Sequence, residues 1–195
     1  DNFVPEFYKE FLKKYPDLTI HSEQASEIYY NSQIGKICQM FNFGLKDTTT
    51  NVVKMLKFLM KAKNPYEVLE ENNENKTLHK RFGEIEKRYK KLIEKATGID
   101  RDKKLIFFQY GGDLSISADI ANALQYKFPN KFIAVARVSG AKVSISLRGK
   151  GIKKIALKAI EGLESASGGG HEQAVGLTVR TDDLEKFREN LKELI

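Results

Sequence analysis

Near residue 103 the hydrophobic period of this chain changes, and the change restricts it to a helical segment followed by a mixed α/β domain. Upstream, Leu78, Phe82, Ile85, Tyr89, Leu92 and Ile93 fall at helical spacings. They form one apolar stripe on a long helix whose other face is Lys, Arg and Glu and which ends at Gly98. Pro5 opens a helix to about Tyr15, and Pro16 stops it. Leu18–Ile20 reads as a short strand, and Ser22 is placed to cap helices over 25–41 that break near Asn31. Val52, Val53, Leu56, Leu59 and Met60 mark another helix, and Asn64-Pro65 opens a short one through Leu69. Downstream come the strand-length runs Leu105–Phe108 and Phe132–Ala136, with a helix capped by Ser117 between them. Ser139-Gly140 turns the chain into a third strand, Lys142–Arg148. Ile152–Ile160 is helical, Ala174–Val179 is a fourth strand, and Leu184–Leu194 is the terminal helix. The expected class is α/β (α+β). A helical N-terminal region, residues 1–100, is joined by a long helix to a small mixed-sheet domain, residues 101–195.

At 41% hydrophobic and 30% charged, 195 residues can bury a core, so disorder is excluded. No apolar stretch approaches the roughly 18 residues that cross a bilayer, and no basic-then-apolar leader opens the chain. The single cysteine, Cys38, can form neither an internal disulfide nor a cysteine zinc cluster. A cytoplasmic, reducing setting with no membrane partner follows. The chain opens on Asp1 rather than methionine, as a piece of a longer protein would.

Charge is unevenly distributed. Residues 1–100 carry 17 basic and 15 acidic side chains, against 16 and 11 for 101–195. Between Asp119 and Glu161 there is no carboxylate, while Lys127, Lys131, Arg137, Lys142, Arg148, Lys150, Lys153, Lys154 and Lys158 fall in that interval. Clustered cations of this kind neutralise phosphates, although a solvated basic face has the same composition.

Ser167-Gly168-Gly169-Gly170-His171 is the string with most chemical content. Three successive glycines suit a loop that bends sharply or approaches a ligand, and its exposed N–H groups can cradle a phosphate. His171 can donate to that phosphate or move a proton. A linker loop is the plainer reading. Past it, Ala174 and Gly176 share one strand face and Val175, Leu177 and Val179 the other. On the third strand Val143, Ile145 and Leu147 face one way. Lys142, Ser144, Ser146 and Arg148 face the other, a row of donors ending in a guanidinium fork.

Together with Val143–Arg148, the string Ser167–Gly176 resembles the C-terminal DHH-associated domain of the DHH phosphoesterase superfamily, and most closely archaeal RecJ-like single-strand exonucleases. Tyr110–Ser115 and the Asn64-Pro65-Tyr66 helix support the resemblance, which is good over 103–195 and looser over 1–100. It implies that 1–100 is the rear of a DHH lobe plus the interdomain helix, and that 101–195 binds substrate. Gly168, Gly169, Gly170 and His171 would hold a phosphate, His171 against the scissile group, with Arg148, Ser146 and Ser144 beside them. Beside Arg148, the charge pattern itself makes the other eight cations of the acid-free interval, Lys127, Lys131, Arg137, Lys142, Lys150, Lys153, Lys154 and Lys158, a basic patch. The implied partner is single-stranded DNA or RNA, in DNA repair or replication. Mn²⁺ or Mg²⁺ is the implied cofactor of a full-length parent.

This chain departs from the family in having no Asp-His-His motif. His21 and His79 read as turn and surface residues, and Asp182-Asp183 as caps of the last helix. Two-metal hydrolysis needs several carboxylates and histidines converging on ions about 3.5–4 Å apart, and no such set is present. The expectation is the nucleic-acid-binding portion of a metal-dependent phosphodiesterase, inactive alone and holding no metal itself. The alternative is a nuclease-lacking scaffold associated with the archaeal GINS replisome complex. A mononucleotide phosphoesterase is disfavoured, since a mononucleotide does not need nine cations.

Overall fold

The structure is a computed structural model that describes residues 3–99 and 104–195, in two compact units, Asp1–Lys87 and Arg88–Ile195. Among the described residues no helix is long and apolar enough to cross a membrane. The fold class is α/β: helices throughout the first unit, and helices with a five-stranded mixed sheet in the second.

The first unit contains α1 (Phe7–Lys14), α2 (Ala25–Asn31), α3 (Gln33–Gly44), α4 (Thr49–Leu59), α5 (Tyr66–Leu69) and the start of α6 (Lys76–Thr97). Its core is built from Ile37, Met40 and Phe43 of α3, Met55 and Phe58 of α4, and Leu78, Phe82 and Ile85 of α6. The Phe43 and Phe82 rings stack at 5.9 Å. The break between α2 and α3 comes at Ser32, whose extended backbone and side chain cap α3 by accepting the Gly35 N–H at 3.1 Å. Ser22 does not cap α2, whose N-cap is Gln24 with no side-chain cap bond.

Leu18–Ile20 is not a strand. Pro16–Leu18 forms a 3₁₀ turn, and Ile20 exchanges its N–H and carbonyl with the Tyr8 hydroxyl at 3.3 and 2.8 Å. Those backbone groups are therefore satisfied without a neighbouring strand. His79 is not a free surface residue either. Half-buried, it places Nε2 2.9 Å from the Val68 carbonyl at the end of α5.

In the second unit β1 (Leu105–Gly111), β2 (Phe132–Ser139), β3 (Lys142–Arg148), β4 (Ser167–His171) and β5 (Ala174–Arg180) lie in the order β1-β2-β3-β5-β4. β1 and β2 are parallel and joined through α7 (Ser117–Lys127), and the other pairs are antiparallel. The apolar face carries Val143, Ile145 and Leu147 of β3 and Val175, Leu177 and Val179 of β5. It packs under α8 (Ile152–Ala159) and α9 (Leu184–Glu193) around Ile152, Ala156, Phe187 and Leu191. α7 covers the other face over β2 and β3. A layer of helix therefore lies on each side of the sheet.

Two expected caps are replaced by other contacts. Ser117 is the first residue of α7 rather than its cap, and its buried hydroxyl meets that of Ser146 at 3.0 Å. Asp182 and Asp183 make no side-chain cap to α9, and Asp182 pairs with Arg180 at 3.5 Å instead.

Candidate functional site

The glycine string is not a loop. It is the edge strand β4, joined to β5 by the two residues Glu172 and Gln173, and all five of its residues are exposed. Gly168 and Gly170 have φ of +153° and +157°, which L side chains rarely adopt. A Cβ at Gly168 would stand 2.2 Å from the Gly176 carbonyl oxygen, and one at Gly170 2.2 Å from that of Ala174. These two glycines let β4 lie against β5. Gly169 is different: a Cβ there, or at Gly176 opposite, meets nothing within 4 Å.

Strand register gathers the site. Directly paired residues share a face, so three rows cross β3, β5 and β4. Arg148, Ala174 and His171 make the first, Ser146, Gly176 and Gly169 the second, and Ser144, Thr178 and Ser167 the third. None of the three rows contains a carboxylate, a Phe or a Tyr. α7 overlies the β3 end, while Gly176 and the three β4 residues are exposed. The result is a shelf with a bare-backbone floor at Gly169 and Gly176. Arg148 stands on one side of it and His171 on the other, two strand spacings or about 10 Å apart.

Arg148 is positioned by α7. Its Nε donates to Asn122 Oδ1 at 2.7 Å and its Nη1 to the Leu147 carbonyl at 2.8 Å, which holds the guanidinium plane at the margin of the shelf. Ser146 contributes differently from Ser144: it lies under α7, bonded to Ser117, and so anchors the helix. The loop before α7 is equally tied. Tyr110 accepts the Ile116 N–H at 3.0 Å and donates to the Leu114 carbonyl at 3.2 Å, and burial pushes its phenol up, so the hydroxyl keeps its proton. Arg137 sits next to Ser144 across β2 and donates to the Asp113 carbonyl at 3.1 Å.

The nine cations are not brought into one patch. Arg137, Lys142 and Arg148 stand on the shelf side of the sheet, and Lys127 and Lys131 lie at the far end of α7 and in the loop after it. Lys153, Lys154 and Lys158 are on the outer side of α8, across the sheet, and Lys150 precedes that helix. Asn122 and Thr178 join the site although nothing in the sequence singled them out; only the strand order and α7 contacts bring them in.

A divalent metal finds no ligand set among the described residues. Among the described residues no three of His, Cys, Asp and Glu come together, and His79 is committed to Val68. What the shelf offers is a guanidinium, an imidazole, small hydroxyls and unobstructed backbone. Those are the components of an oxyanion grip.

Residues 102–195 match the DHHA1 domain family. No curated protein matches the chain significantly. Among solved structures, RecJ in complex with Mg²⁺ from Thermus thermophilus is 15% identical, with a TM-score of 0.61 over 93% of this chain and 27% of that one. An exonuclease RecJ bound to manganese is 16% identical, with a TM-score of 0.59 over 89% and 42%. A pGpG-specific phosphodiesterase from Vibrio cholerae is 12% identical, with a TM-score of 0.54 over 97% and 67%. The chain spans under half the length of these RecJ structures, and at such identities the likeness establishes the fold. Residues 102–195, just under half of the chain, thus match the DHHA1 domain family, and the chain shares its fold with RecJ structures.

Proposed function

We propose that the DHHA1 domain grips the phosphate backbone of single-stranded DNA or RNA, and that the chain is the substrate-binding part of an archaeal RecJ-like exonuclease. The shelf carries this reading. Bare backbone at Gly169 and Gly176 lets a strand approach closely, with Arg148 and His171 placed to meet its phosphates from two sides. The rows hold no Phe or Tyr, and with Arg148 and His171 turned to phosphates the contact is to phosphate and sugar. Fold likeness to RecJ supports the assignment.

In the parent, Mn²⁺ or Mg²⁺ would activate water and stabilise the departing oxygen. Among the described residues no three of His, Cys, Asp and Glu come together to hold that ion, and in this reading the metal lobe of the parent does the cutting. Its own residues orient the strand: Arg148 neutralises one phosphate, His171 donates to the next, and Gly169 leaves room for the sugar.

The test is fluorescence anisotropy with labelled single-stranded DNA of mixed sequence. Phosphate contacts by the three shelf-side cations, Arg137, Lys142 and Arg148, predict a log–log salt slope of about −2, and so a loss of affinity on the order of twentyfold between about 50 and 200 mM salt. Affinity should differ little between base compositions. Absence of binding at low salt, or binding indifferent to salt, contradicts the reading.

A further inference from the structure

We infer that the outer face of α8 is a second phosphate-binding surface, over which a single strand held on the shelf continues after crossing the β4 edge. The inference rests on the shelf reading and extends it to the opposite side of the sheet.

The face is defined by helical spacing. Ile152, Ala156 and Ala159 are buried against the sheet, which turns Lys153, Lys154, Leu157 and Lys158 outward, with Lys150 just before the helix. All four lysines are exposed. No carboxylate lies within 4 Å of their ammonium groups among the described residues. The nearby acids are otherwise placed: Glu172 lies beside Gly151 at the start of the helix, Glu164 pairs with Arg180, and Glu161 follows the helix. A helix exposed only for solubility commonly alternates its charges, whereas α8 has no acidic residue at all. Leu157, 39% exposed in the middle of the lysines, gives an apolar rest for a sugar or base.

Position gives the occupant. α8 packs on β4 and β5, and β4 is the sheet edge with all of its residues exposed. A strand leaving the His171 side of β4 therefore meets the lysines directly on rounding that edge. Glycines at 168–170 keep the edge free of side chains that would block it. Four cations and no nearby pairing acid complement a polyphosphate backbone; mobile lysines suit its irregular spacing.

The experiment compares wild-type protein, Lys153→Ala/Lys154→Ala/Lys158→Ala and Arg148→Ala on single-stranded oligonucleotides of about 5 and about 20 nucleotides, a range that brackets the footprint of a small binding domain. The expected result for the triple variant is unchanged binding of the short oligonucleotide and a loss on the order of tenfold for the long one, with a salt slope shallower by about 2. An unchanged melting temperature shows that the fold is retained. Equal affinity of wild type and triple variant for the long oligonucleotide overturns the proposal, and so does an equal loss at both lengths. If the long oligonucleotide binds through α8 while Arg148→Ala changes neither length, the shelf reading fails and the α8 surface stands. If wild type binds neither length, both fail.

Discussion

Gly170→Ala is expected to remove much of the β4 pairing and, with it, most binding to single-stranded nucleic acid. A methyl group there would stand 2.2 Å from the Ala174 carbonyl oxygen and 2.9 Å from the Val175 Cα, at a φ of +157° that alanine adopts only under strain. Such backbone strain is worth about 1–3 kcal/mol, and the clash adds to it. The relief available is for β4 to peel from β5, since α8 and the sheet core beneath are fully packed. Thermal unfolding should show a lowered Tm, and anisotropy a loss of at least about tenfold. Gly169→Val is the matched contrast. Its side chain enters open space and a β-branched residue suits a strand, so Tm should hold while affinity still falls, because the shelf floor is filled. Equal Tm losses for the two variants would show that β4 does not lie against β5 as described.

Arg148→Ala carries the second large effect. A charge-assisted hydrogen bond contributes about 1.5–3 kcal/mol, so affinity should fall by about 10- to 150-fold, with a salt slope shallower by about 0.7. Arg148→Lys should recover little, since a point charge cannot keep both the Asn122 bond and a bidentate grip. Asn122→Ala should give a smaller loss with the salt slope retained, because the guanidinium stays charged but loses its orientation. Unchanged affinity in Arg148→Ala at moderate salt would remove this residue from the site.

Much of the fold was readable from periodicity because the informative side chains report their own burial. Val143, Ile145 and Leu147 alternate as a strand buried on one face must, and the stripe from Leu78 to Ile93 repeats as a helix does. β4 escaped for the opposite reason. Glycine has neither a side chain to alternate nor a strand preference, so Gly168–Gly170 read as a loop. The strand was signalled only by its neighbour, an alternating segment two residues away across Glu172-Gln173. Leu18–Ile20 erred in the other direction, because strand-forming residues without a partner strand settle their backbone groups locally, here on Tyr8.

The site was half legible. Arg148, Ser144 and the glycine string stood out as residue types suited to phosphate. Their assembly did not, since it depends on β5 inserting between β3 and β4, an order no local pattern encodes. For the same reason the nine cations of the acid-free interval looked like one patch and are divided by the sheet. Asn122 was invisible because its role is a contact 26 residues away in sequence.

The most direct measurement is an NMR titration of ¹⁵N-labelled protein with a short single-stranded oligonucleotide. The account predicts amide shifts concentrated at Gly169, His171, Gly176 and Thr178, together with the Arg148 side-chain Nε–H. Shifts centred elsewhere, for instance on the mixed-charge groove lined by Asp47, Lys80 and Glu84 in the first unit, or no shifts at low salt, would contradict it.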